Sequence, residues 1–122
     1  MMTKTELLKR AQKHLAYQLF DAGRDCDVEA ATRAIDEGLE EGANINGKNE
    51  DGRTPLHTAC AHGHVNVVRL LLERGADPNA RDNSGETPFD HAVRLECAYD
   101  RDEVTSILLE CFPGVARQSK NN

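Results

Sequence analysis

Apolar positions in the middle of this chain recur at three- and four-residue intervals, in short runs that each end at glycine. Leu56, Ala59 and Cys60 share one face of a helix predicted to start at Pro55. Val65, Val68 and Leu72, flanked by Leu71, form the apolar stripe of a second helix, while Arg69 and Glu73 fall on its wet side. The punctuation agrees with the periodicity. Asp51 and Gly52 make a turn, the Thr54 hydroxyl caps the first helix, and Pro55 occupies its first position, where a missing N–H costs nothing. Gly63 breaks that helix and Gly75 closes the second, after which Pro78 keeps residues 77–80 extended or turned. One pair of such short helices cannot bury its own stripe, so the pattern predicts pairs stacked side by side.

The same pattern begins again downstream. Gly52, Thr54, Pro55 and Leu56 recur 33 residues later as Gly85, Thr87, Pro88 and Phe89. Further on, Leu70 pairs with Ile107, so about four residues are inserted within 95–102. Upstream, Gly42 to Asn46 repeats Gly75 to Asn79 at the 33-residue offset and closes an earlier, irregular unit.

The central unit resembles the ankyrin repeat: TPLH at 54–57, Ala59, GH at 63–64, LLLE at 70–73 and GADPNA at 75–80 follow the family pattern in order. The next unit matches through TPFDHA at 87–92, with Asp90 where the pattern has histidine, and through ILLE at 107–110. The resemblance covers roughly residues 15–112. It implies an all-α solenoid of about three stacked helix-turn-helix units with capping terminal helices, serving to bind proteins. It also implies that His57, in the TPLH corner, and His64, in the turn between helices, tie loops together through imidazole hydrogen bonds.

The terminal segments read as caps for such a stack. Thr3 and Glu6 can form a capping box, and Leu8, Ala11, Leu15 and Leu19 fall on one predicted inward face. Whether residues 3–22 form one extended helix or two is left open by the pattern. At the other end Val104, Ile107, Leu108 and Cys111 give the stripe of a closing helix, stopped by Pro113 and Gly114. The organisation expected is a single domain over 1–112: an irregular N-terminal unit at about 5–50, a repeat at 51–83, a C-terminal repeat with the insertion at 84–112, and then a disordered tail at 113–122.

Composition and charge narrow the function. The 122 residues hold three Phe, two Tyr and no Trp, which suits stacked aliphatic helices better than an aromatic-lined pocket. No apolar run approaches a membrane span or a signal sequence. The four cysteines, 26, 60, 97 and 111, form no CxxC pair, so a reducing, cytoplasmic compartment is expected. The net charge of −6 is uneven: residues 1–20 carry +3, residues 21–51 carry −7 and the rest −2. That balance argues against nucleic acid and favours a partner with a basic surface, although Asp36, Glu37, Glu40 and Glu41 also read simply as a solvated helix end.

Two constellations have the residue types for chemistry. His57, Cys60, His62 and His64 are all zinc-ligand types, but His62 and His64 straddle the helix-breaking Gly63, and no metal site is expected. Cys97, with His91 and Asp100 or Asp102 nearby in sequence, is a candidate nucleophile with nothing to fix its geometry. Phosphate-binding glycine loops and paired carboxylates are absent, and no cofactor is expected.

The expected function is therefore a non-catalytic, monomeric protein-binding module, an adaptor, inhibitor or regulatory subunit, that grips its partner on the concave ankyrin surface. Candidate contacts are Glu50, Asp51 and Arg53 at one turn, Ala61 and His62 on the first helix, Asn83, Ser84, Glu86, Arg94 and Leu95 at the matching places of the next unit, and Tyr99 in the insertion. The alternatives are a scaffold unit of a larger ankyrin effector and, further off, a Cys/His-dependent enzyme.

Overall fold

A computed structural model of the protein describes residues 3–25, 27–96 and 98–111, with the side chains of Ala98 and Cys111 outside the described set. The described residues form six helices in order: α1 Lys4–Arg24, α2 Val28–Glu40, α3 Pro55–Ala61, α4 Val65–Glu73, α5 Pro88–Ala92 and α6 Ala98–Cys111. Among the described residues there are no strands. Each odd helix packs on the even helix that follows it. The odd helices then touch in succession, α1 on α3 and α3 on α5, as do the even ones, α2 on α4 and α4 on α6. The result is a two-row stack whose units can bury their apolar faces only against one another.

Local sequence explains the starts of α1, α2, α3 and α5. Thr3 and Glu6 form the reciprocal capping box, and α1 then runs unbroken for 21 residues, which settles the question of one helix or two. Asp27 caps α2 by accepting from the Ala30 N–H. Thr54 and Thr87 cap α3 and α5 in the same way, each followed by proline, with His57 and Asp90 completing the boxes.

One apolar core runs from Ala11 through Ile35, Leu56 and Leu71 to Leu108. Three expectations about it need correction. Leu8 is 40% exposed, because α1 overshoots the end of α2 and leaves Leu8 beside Gly42 at the margin of the stack. On α4, Val65 is only half-buried, whereas Val67 and Leu70 are buried along with Val68, Leu71 and Leu72. The cause is position: α4 is flanked by α1, α2, α3 and α6, so most of its circumference is covered. The inserted residues, expected to widen a turn, instead lengthen a helix. A start matching that of α4 would fall at residue 102, but α6 begins at Ala98.

Candidate functional site

The turns that join the helical pairs are built by one device used twice. The Asn49 side-chain oxygen accepts from the N–H groups of Asp51 and Arg53 at 2.9 and 3.0 Å. Thirty-three residues on, Asp82 accepts from Ser84 and Glu86 at 2.9 and 3.0 Å. An oxygen at this place satisfies two backbone donors that the tight turn would otherwise leave unpaired.

Successive turns are then tied to each other. Lys48 Nζ donates to the Arg81 carbonyl, Asn83 Nδ2 donates to the Glu50 carbonyl, and the Asn83 N–H donates to the Asp51 carbonyl at 3.0 Å. Asn46 accepts from the Asp77 N–H at 2.7 Å. Gly52 lies so close to the next turn that an added Cβ would sit 2.7 Å from the Asn83 backbone nitrogen, and its φ is +76°. Glycine is therefore required there on two counts.

Under these turns His57 joins two units. Its Nδ1 accepts from the Thr54 N–H at 3.1 Å and its Nε2 meets the Glu86 carbonyl at 2.9 Å. An amide N–H can only donate and a carbonyl can only accept, so these partners fix the neutral tautomer with the proton on Nε2. Burial, reinforced by His91, lowers the His57 pKa from 6.5 to about 4. His91, from α5, bonds Asp82 Oδ2 through Nε2 at 2.9 Å. Burial pushes the Asp82 carboxyl up, but hydrogen bonds from His91 and the Ser84 N–H outweigh it and hold that carboxyl below its usual range.

His57, Asp82 and His91 bring three ligand-type atoms within 4.8 Å of one another, a grouping no sequence interval announces. The hydrogen bonds decide against a cation there. A metal would need the Nε2 lone pair of His57, which requires the proton on Nδ1, where it would oppose the Thr54 N–H. The cluster is a joint between repeats.

The histidines expected in the other metal-type group separate by role. Cys60 is fully buried, and burial pushes its thiol far up, away from nucleophilic reactivity. His64 stands at the N-cap of α4 without a side-chain capping bond. Its ring lies against Gly23 of α1 and 5.4 Å from the Phe20 ring. His62 sits edge-on to Phe20 at 4.8 Å and stacks on His64 at 5.6 Å. Cys97, the other candidate nucleophile, lies outside the described residues, and its presumed partner His91 is engaged by Asp82.

The remaining candidate contacts fall in two groups. Glu50, Asp51, Arg53, Asn83 and Ser84 are exposed along the turns, where Arg53 lies 3.7 Å from Asp82. Half-buried Glu86 pairs with exposed Arg94. Half-buried Ala61 and exposed His62 end α3. Leu95 packs partly against the core, and Tyr99 stands 71% exposed on α6. Phe20 packs beside His62 and was missed by sequence reasoning, whereas Asp100, named there only as a possible partner of His91 and Cys97, lies at the turn after α3. Asp100 lies over Gly63, where an added Cβ would be 3.2 Å from its carboxylate. The Asn49 and Asp82 turn pair was legible as one more 33-residue recurrence.

No helix among the described residues is long and apolar enough to cross a membrane. The family described as ankyrin repeats (many copies) matches residues 39–92. An ankyrin repeat-containing protein of Schizosaccharomyces pombe is 39% identical over 62 residues, covering 51% of this chain and 30% of that protein. The ankyrin repeat and LEM domain-containing protein 1 homolog of Caenorhabditis elegans is 43% identical over 68 residues, covering 56% of this chain and 9% of that protein. Rabankyrin-5 of Homo sapiens is 53% identical over 36 residues, 30% of this chain and 3% of that protein. The chain thus spans under a third of the length of these relatives. Ankyrin repeats are generally non-catalytic protein-interaction modules. The 33-residue recurrence, the Thr-Pro capped helical pairs and the matched family agree, and residues 39–92 of this chain carry ankyrin repeats.

Proposed function

We propose that this protein is a non-catalytic binding module, an adaptor, inhibitor or regulatory subunit, that receives a protein partner along its turns and the adjoining ends of α3, α5 and α6. The observation that carries the reading is the set of hydrogen bonds between successive turns, Lys48 to Arg81 and Asn83 to Glu50. Turns fixed in this way hold Arg53, Ser84 and their neighbours in place before a partner arrives, which removes much of the ordering entropy from association. Partner identity then rests in a few exposed side chains, not in the fold.

The test is capture from native lysate by the protein and by a variant with Arg53, His62 and Arg94 all changed to alanine. A partner retained at fixed stoichiometry and lost with the triple variant, at an unchanged melting midpoint, supports the proposal. Equal retention by both proteins overturns the assignment of the surface. A second reading, a scaffold unit within a larger ankyrin effector, is favoured by the short share of each relative that this chain matches. It predicts that the partner contacts more than this chain can offer, so the isolated chain would bind far more weakly than the longer protein.

A further inference from the structure

The geometry points to the turn between α3 and α4 as a seat for an arginine side chain of the partner, with Asp100, His62 and the Phe20 ring as its recognising groups. The inference rests on the protein-binding reading above and specifies the chemistry of one contact within it.

Three observations converge there. First, the extra turn of α6 brings the Asp100 carboxylate against Gly63, the residue that separates His62 from His64 in the chain, and this carboxylate acts electrostatically on His64. Second, His62 Nδ1 lies 2.9 Å from the Thr58 carbonyl. A carbonyl accepts only, so the His62 proton sits on Nδ1 and the Nε2 lone pair of this exposed ring is an acceptor. Third, the Phe20, His62 and His64 rings form one packed group at centroid separations of 4.8, 5.4 and 5.6 Å.

A planar cation with several donors suits this combination better than any other side chain. A guanidinium can donate to a carboxylate and to an imidazole lone pair while lying on ring faces, whereas an ammonium offers a point charge and no plane to stack. Burial lowers the His64 pKa, and the neighbouring His62 lowers it further, which keeps that ring uncharged at neutral pH and compatible with a cationic guest. The net charge of −6 favours approach of a basic segment.

The experiment is a titration of the isotope-labelled protein, followed by NMR, with the capped pentapeptide Gly-Gly-Arg-Gly-Gly, its lysine counterpart, and a glycine-only control. Shifts confined to residues around Phe20, Gly63 and Asp100, an arginine peptide bound about fivefold tighter than the lysine one, and about fivefold loss in Asp100→Asn are the expected results. His62→Leu, on an exposed site, gives an independent loss, and the thermal midpoint of each variant is measured alongside. Equal response to lysine, shifts centred on the acidic face of α2, or unchanged binding in both variants with intact midpoints overturns the inference. Lysate capture that still depends on Arg53 and Arg94 in that event leaves the general binding reading standing, so the two fail separately.

Discussion

At Leu71 a single side chain is wholly enclosed between the two rows of helices. Leu71→Ala leaves a cavity that the flanking helices cannot close, and urea unfolding should show a loss of about 2–5 kcal/mol. His57 makes a prediction about pH. Its folded pKa of about 4 lies below the 6.5 of an unperturbed histidine, so the unfolded chain takes up the proton first as pH falls. Stability is therefore full above about pH 6.5, declines as pH drops toward 4, and by then has lost on the order of 2–3 kcal/mol. His64, also held low, adds to the decline with the same sign. Asp82, with its carboxyl below the usual range, contributes a further loss at still lower pH. Urea midpoints measured from pH 7.5 to 4.5 check this, and His57→Gln should flatten the slope. Glycines 52 and 85 provide a matched pair, since φ is +76° and +78°. Alanine at either strains the backbone by about 1 kcal/mol, but only at 52 does the new methyl meet the next turn. Gly52→Ala should thus lower the thermal midpoint clearly more than Gly85→Ala.

At the level of elements, helix starts were readable because threonine, proline and the capping partners announce themselves locally, as at Thr54, Thr87 and Thr3. The 33-residue period gave the stacking order. Less readable was which side of a helix is covered: Val67 and Leu70 are buried by neighbours brought from elsewhere, and Leu8 is bared because α1 outlasts its support. The seat near Gly63 was half legible. His62 was singled out from the family's variable positions, but Phe20 lies some forty residues upstream, and Asp100, named only as a possible partner of His91 and Cys97, reaches the turn only because the inserted residues became helix. That conversion has its own test. Deleting residues 98–101 shortens α6 to the length of the regular pattern. The stack should still unfold cooperatively and lose no more than about 1 kcal/mol by chemical denaturation, since little of the buried core lies there. The arginine peptide should no longer bind.

For the molecule as a whole, the important asymmetry is between its two ends. The Gln12 side chain occupies both backbone groups of Asn44, donating to its carbonyl at 2.9 Å and accepting from its N–H at 2.8 Å. Between later turns that kind of pairing is supplied by the neighbouring repeat, as Asn46 does for Asp77. A lone amide on α1 thus acts as a plug where another unit would otherwise add. Gln12→Ala would hand both backbone groups of Asn44 back to water, so the first unit should loosen before the rest of the stack, seen as faster amide exchange at Asn44 than at Asp77.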